Sequence, residues 1–404
     1  MKAHCIILAD DLSGAADCAV PFARAGFSPE VFLQPECAAR TDAPIVSIDL
    51  NTRELTPGQA VQITSRTLRL IRSSRETVWY QKIDSTLRGN IAAGVLATAR
   101  AIPLKRVIFC APAFPDTGRT TIQGRVFVNG LPLEKSGVNT GWSTGKSISD
   151  LFTEVGLNTR AFSLDVTRSG SSNILRHLKN NPGVTVAVCD AETNNDLLAI
   201  AKAGLQIREE SIFVGSAGLA HQIATLLGTE QRFENHPVLP DKPILVVVGS
   251  KSPASRAQFE HLSNLSGIDL LRLPVTALKS ESDSSITNGL TRALAGGRDV
   301  AITTELTESL NDQQGAGLMQ SLGRTLRPFL DKFSGLVLTG GETARGLLSE
   351  SEIGRLRMMD EIEPGVTLSV TVGKLELPIV MKAGAFGTQA TLLNAVHFLR
   401  SRKK

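Results

Sequence analysis

Through the first 230 or so residues, short apolar runs alternate with longer amphipathic stretches, the pattern of strands and helices wound into a mostly parallel sheet. Strands are predicted at Ala3–Leu8, Pro44–Ile48, Val78–Ile83, Val107–Cys110, Val184–Cys189 and Ser211–Val214, with a helix over Ala15–Ala25. Each run gives way to small or polar residues: Asp10-Asp11, Asp49, Asp84-Ser85, Ala111-Pro112, Asp190-Ala191 and Gly215-Ser216. Open α/β sheets bind ligands beyond the carboxyl ends of their strands, so this row outlines one site. Residues 115–148 lapse into Gly, Thr, Ser and Asn and are expected to form a functional loop carrying Arg119 and Arg125, with a tight turn at Val128-Asn129-Gly130-Leu131.

A second set of runs follows at Ile244–Val248, Asp269–Arg272, Asp299–Thr303 and Gly335–Leu338. It ends in a hairpin-like pair, Thr367–Val372 with Leu377–Met381, and a helix over Thr388–Ser401. Between the two sets, Arg232–Pro243 holds three prolines and no apolar period, which marks a boundary. The expected fold is therefore α/β with two domains, residues 1–235 and 236–404, each a mostly parallel sheet flanked by helices, with the active site in the cleft between them. A chain of 404 residues also exceeds what one hydrophobic core usually serves.

Charge changes this picture little. The 43 basic and 39 acidic residues are dispersed, and the one basic cluster, Arg400, Arg402, Lys403 and Lys404, reads as a solvated helix end. One Tyr and two Trp are too few for a single-strand nucleic-acid platform, so no nucleic-acid partner is expected. No run reaches transmembrane length, and the first apolar stretch meets Asp10-Asp11 too soon for a signal peptide. A cytoplasmic protein without a membrane partner is expected. Five cysteines with no Cys-x-x-Cys pair read as small buried hydrophobes in a reducing compartment. Six histidines show no ligand spacing, so zinc is not expected and the metal ligands stay unassigned. An exposed hairpin near residues 367–381 could pair with a second copy in a homodimer.

Three glycine turns follow apolar runs in the second half: Val248-Gly249-Ser250-Lys251-Ser252, Leu338-Thr339-Gly340-Gly341-Glu342-Thr343, and Met381-Lys382-Ala383-Gly384-Ala385-Phe386-Gly387. Bare amides at helix starts cradle phosphates, although neither the P-loop nor the dinucleotide spacing occurs at these turns. In the first half, Asp10-Asp11-Leu12-Ser13-Gly14 places adjacent carboxylates at a strand end. Their repulsion is costly unless a cation or a hydroxyl-rich ligand lies between them; the plainer reading makes Asp11 or Ser13 a helix cap. In Lys82-Ile83-Asp84-Ser85-Thr86-Leu87-Arg88-Gly89-Asn90, a cation, a carboxylate, two hydroxyls and a guanidinium occupy the seven positions from Lys82 to Arg88. Arg88 can grip a carboxylate with two parallel hydrogen bonds, which a lysine cannot. Ser216 in Gly215-Ser216-Ala217-Gly218-Leu219 lacks the nucleophile-elbow spacing and reads as a helix start that glycine permits.

Taken together with Ala113-Phe114-Pro115, Gly118-Arg119-Thr120-Thr121 and Asp190-Ala191, these segments resemble the four-carbon acid sugar kinases along nearly the whole chain. Ser13 and Ala16 depart from the Thr and Asn usual in that family, and Ala385 from its frequent Gly. The resemblance implies an N-terminal domain for threonate, erythronate or 3-oxo-tetronate and a C-terminal domain for ATP with Mg2+. Carried over, Asp11, Lys82, Asp84, Ser85 and Arg88 fall at the acid site, to which Asp10, Gly89 and Arg119 are added. Ser252, Gly340, Gly341, Glu342, Thr343, Gly384, Ala385, Phe386 and Gly387 fall at the nucleotide site, with Gly249 and Ser250. The expected reaction is ATP-dependent phosphorylation of a four-carbon acid, D-threonate favoured, in which Arg88 and Lys82 bind the carboxylate and Asp11 or Asp84 takes the hydroxyl proton. Domain closure about Arg232–Pro243 would exclude water. The alternatives are a sugar-acid sensor without turnover, and a lyase or ligase in which Lys82 forms a Schiff base.

Overall fold

The computed structural model describes residues 4–102, 107–138, 145–228, 238–250, 252–265, 267–279, 284–305, 312–384 and 386–403. The chain divides into two units, Met1–Phe233 and Glu234–Lys404. Residues 229–237, on which much of the expected linker falls, lie outside the described residues.

The first unit contains β1 (Cys5–Ala9), β2 (Pro29–Phe32), β3 (Ile45–Asp49), β4 (Val78–Lys82), β5 (Val107–Ala111), β6 (Arg119–Ile122), β7 (Arg125–Val128), β8 (Leu131–Pro132), β9 (Thr159–Phe162), β10 (Val186–Cys189) and β11 (Ser211–Gly215). Eight of these run parallel in the order β2-β3-β1-β4-β11-β5-β10-β9. Alternate residues of β1 enter different cores, Cys5 and Ile7 one, Ile6 and Leu8 the other, because successive strand side chains point to opposite faces. A sheet covered on both faces needs continuous apolar strands, which is why these runs were legible. From β1 the chain passes to β2 and β3 on one side and to β4 on the other. That reversal is a topological switch point, and it opens a crevice at the carboxyl end of β1.

Residues 115–148 are not the irregular loop expected of them. Strands β6, β7 and β8 form a separate antiparallel sheet, turning at Gln123-Gly124 and at the predicted Asn129-Gly130. All four turn residues have positive φ, 51° and 68° at the first corner, 50° and 79° at the second, as tight hairpins require. Gln123 gave no warning of this, since turns of this kind usually carry Asn, Asp or Gly. The Gly215 to Leu219 string starts a helix, Ala217–Leu227, as read, and its glycines also allow close packing. A side-chain carbon on Gly215 would meet Ala111 O at 2.6 Å, and one on Gly218 would meet Ala113 O at 2.7 Å.

The second unit contains β12 (Ile244–Val248), β13 (Ile268–Pro274), β14 (Asp299–Glu305), β15 (Gly335–Thr339), β16 (Arg355–Glu363), β17 (Val366–Thr371) and β18 (Pro378–Lys382). Their order is β13-β14-β12-β15-β18-β17-β16, parallel as far as β18 and antiparallel beyond it. The pair expected as an exposed hairpin is β17 and β18, and both are largely buried, with β17 flanked on each side by another strand. It therefore offers no free edge to a second copy. The chain leaves β12 to either side, towards β14 and β15, so a second switch point lies between the ends of β12 and β15. Four cysteines are buried, as expected, but Cys37 is exposed. Among the described residues no helix is long and apolar enough to cross a membrane.

Candidate functional site

At the first switch point the strand ends are level: Ala9 of β1 is in register with Asp49 of β3 and Lys82 of β4. Asp11 caps the helix Leu12–Arg24, its Oδ1 accepting from the Gly14 amide at 3.0 Å. The cation demanded by the adjacent carboxylates is Arg53, which the sequence reading missed. Its Nε and Nη2 donate to Asp10 at 2.8 and 2.7 Å, and its Nη1 and Nη2 to Asp11 at 2.9 and 2.8 Å. Neither a metal nor a ligand is needed to reconcile the two charges. Arg53 follows β3 by four residues, where only Asp49 had drawn notice, and Asn90 Nδ2 braces that segment through Thr52 O at 2.8 Å and Leu55 O at 2.7 Å.

Lys82 is buried against the same pair. Burial alone would lower its pKa, but Asp11, together with Cys18 and Asp10, outweighs it and holds the ammonium above its ordinary value. Gly14 makes the contact possible, because a side-chain carbon there would stand 2.6 Å from both Asp11 Oδ1 and Lys82 Nζ. A Schiff-base lysine must shed its proton near neutral pH, so this environment opposes the lyase alternative.

In the segment after β4, Leu87 takes a left-handed conformation, φ 60°, which costs a non-glycine residue about 1–3 kcal/mol. The turn brings Arg88 back over Asp84, with Nε to Oδ2 at 2.8 Å and Nη2 to Oδ1 at 3.0 Å; Thr86 Oγ1 also donates to Oδ2. Burial pushes the Asp84 carboxyl up, but the Arg88 hydrogen bonds and the charges of Arg53, Arg88 and Lys82 hold it well below the usual carboxylate range. The fork expected for substrate is thus spent on Asp84. Arg88 keeps its Nη1 edge, and its side chain is 47% exposed. Ser85 is buried in the same turn, and Gly89, φ 88°, has no room for a side chain, since Asp10 Oδ2 would lie 2.8 Å from it. From β6, Arg119 comes within electrostatic reach of Asp84 and Arg88; its pKa is lowered, chiefly by burial and further by Arg88, while Asp84 opposes the shift. Arg125, by contrast, donates to Gly145 O at 2.7 Å on the surface.

In the second unit the three glycine turns converge. A side-chain carbon on Gly249 would collide with Thr343 Oγ1, and one on Gly384 with Ser250 Oγ; one on Gly340 would lie 3.4 Å from Thr343 Oγ1 and 3.5 Å from Ser250 Cβ. Two helices start here, Pro253–Leu262 after Ser252 and Gly341–Glu350 after Gly340, and neither preceding residue spends a side chain on capping. Pro253 has no N–H to offer, but the amides that follow it and those that open the second helix have no partner within their helices and can meet an anion. Glu342 stands in the first turn of the second helix. Ser255 Oγ donates to Gly384 O at 2.7 Å, and Gln258 Nε2 to Phe386 O at 3.1 Å and Thr388 O at 2.8 Å, wiring the third turn to the first helix. Phe386 lies on Gly365, and Gly387, φ 88°, leads into the last helix; both shape the turn. Lys382 is 3% exposed and donates to Ala383 O at 3.0 Å and Gly384 O at 3.1 Å; burial lowers its pKa to about 8. Lys251 and Ala385 lie outside the described residues.

Residues 5–223 match the family model of a sugar-binding N-terminal domain, and residues 245–392 that of a nucleotide-binding C-terminal domain. A D-threonate kinase of Cupriavidus necator is 36% identical over 96% of both chains, and one of Salmonella typhimurium 29% identical over 98% of both. A D-erythronate kinase and a 3-oxo-tetronate kinase also match, at 23% and 26% identity. The crystal structure of a Haemophilus influenzae protein superposes with a TM-score of 0.77 at 20% identity, covering 98% of this chain and 100% of that one.

Proposed function

The chain belongs to the four-carbon acid sugar kinase family, and from that premise we propose that it transfers the terminal phosphoryl group of ATP to a hydroxyl of D-threonate. The first unit holds the acid and the second the nucleotide. The observation that carries this reading is the placement of Arg88, whose side chain is 47% exposed, and Arg119 within electrostatic reach of one another at the crevice, two guanidinium groups that a bound carboxylate can bridge. D-Threonate is favoured over D-erythronate and 3-oxo-tetronate because the D-threonate kinase relative has 36% identity, against 23% and 26% for the other two.

Phosphoryl transfer depends mainly on alignment and charge neutralisation. The acid's hydroxyl oxygen bonds to the γ-phosphorus as the bond to the β-bridging oxygen breaks, ADP leaves, and the hydroxyl proton passes to a carboxylate. Asp84 is a poor acceptor, since its cations hold its proton affinity far below the working range. Asp11, the more open of the two, takes that role. Arg53 keeps Asp10 and Asp11 apart and oriented, and Lys82 stays charged beside them. The uncapped helix starts at Ser252 and Gly340 hold the phosphates.

Among the described residues no group of three or more His, Cys, Asp or Glu could hold a metal ion. Magnesium needs only one or two protein oxygens when phosphates supply the rest, and Glu342 with the Ser250 and Thr343 hydroxyls is a donor set of that kind. Bound there with the nucleotide, it would neutralise phosphate charge. Four buried thiols and one unpaired exposed thiol support placing the enzyme in the reducing cytoplasm.

A coupled ADP-release screen across the four-carbon acids tests the substrate. D-Threonate should give the highest kcat/KM. A higher value for another acid reassigns the preference, and ADP release with none of them removes the reading.

A further inference from the structure

Asp190 follows β10, is 2% exposed, and takes no part in the chemistry above. Its Oδ2 accepts from the Gln123 amide at 2.7 Å and its Oδ1 from the Gly124 amide at 2.8 Å. Those two residues are the corner of the β6–β7 hairpin, both in the left-handed region. Next to it, Ala191 pairs with Thr121 through backbone bonds of 2.8 and 3.0 Å. The far end of the hairpin is tied as well, Phe114 and Arg119 exchanging bonds of 2.8 and 3.1 Å.

The sheet so anchored has strands of only four, four and two residues, too short to be stable alone. Gln123 moreover pays a conformational penalty at its corner. A carboxylate is the one side chain that offers two acceptors to two consecutive amides; an asparagine would turn a donor against a donor. Burial pushes the Asp190 carboxyl up and the two amides draw it back. What the hairpin carries is Arg119, at the first position of β6, within reach of Asp84 and Arg88.

We infer that Asp190 is a positioning residue for acid binding: by pinning the β6–β7 corner it sets where Arg119 meets the substrate carboxylate. The inference rests on the acid lying at Asp84, Arg88 and Arg119. A displacement of about 1 Å at such a contact is enough to cost tenfold or more.

The test is Asp190→Asn in the full chain. KM for the acid should rise about tenfold while KM for ATP stays within about twofold. In an Arg119→Ala background the same change should add less than about twofold, because the group being positioned is gone. An unchanged acid KM, or full multiplication of the two losses, overturns the inference. Amide hydrogen exchange at Gln123 and Gly124 reads the pin without substrate. It should accelerate about tenfold or more in the variant, and unaltered exchange overturns the inference whatever the activity. If the Asn chain does not fold, Asp190→Ser should show the same shift in acid KM, and failure of both to fold would make Asp190 a general folding determinant and overturn its confined role. Absence of ADP release by the unaltered enzyme would instead defeat the kinase reading, a result separable from the exchange measurement.

Discussion

Asp11→Asn should lower kcat by about 10²- to 10⁴-fold and also lower the melting temperature, because it leaves Arg53 and Lys82 short of a buried counter-charge. Asparagine caps a helix as well as aspartate does, so the start of Leu12–Arg24 is preserved. What disappears is the proposed proton acceptor and one side of the charge pair with Arg53. Asp84→Asn is the informative contrast. Because Asp84 serves to hold Arg88, its loss should appear mainly as a raised KM for the acid. Steady-state kinetics on the two variants separates the roles, and a kcat collapse for Asp84→Asn with Asp11→Asn near the unaltered rate would exchange them.

Gly14→Ala should lower kcat/KM by about 10²-fold, although alanine within a helix ordinarily stabilises by about 0.5–1 kcal/mol. The added methyl would stand 2.6 Å from Asp11 Oδ1, 2.6 Å from Lys82 Nζ and 3.2 Å from Lys82 Cγ. Something must move, and both candidates belong to the proposed acid site. The propensity gain offsets part of the overpacking cost, about 1–3 kcal/mol, so the melting temperature should change far less than the rate. Kinetics and melting on one preparation check this. Unaltered kcat/KM would show that the close approach of Asp11 and Lys82 is not required.

The parallel strands could be read from the sequence because burial on both faces makes them continuous apolar runs, and β12 (Ile244–Val248) was placed to the residue. The strands that escaped lack that signature. Pro29–Phe32 is four residues long, Thr159–Phe162 is half exposed at a sheet edge, and Arg355–Glu363 carries five charged residues. The pair β6–β7 was hidden by a corner at Gln123, a residue that rarely takes positive φ.

Much the same division holds at the site. The Lys82 to Asn90 string was legible because it concentrates charge and hydroxyls at a strand end. Arg53 was not, since its partners lie 42 and 43 residues away and are met only when β3 is laid beside β1. Nor could the string reveal that Arg88 turns back on Asp84, a geometry set by the left-handed backbone of Leu87. The glycine turns announced themselves singly; their convergence on Ser250 and Thr343 is a product of the strand order.

Phosphorus NMR of ATP incubated with the enzyme and D-threonate follows the transferred atom itself. The account predicts that the γ-phosphate signal declines as one new phosphomonoester signal grows in step with ADP. A γ-phosphate signal left intact by the acid, or replaced only by inorganic phosphate, would contradict it.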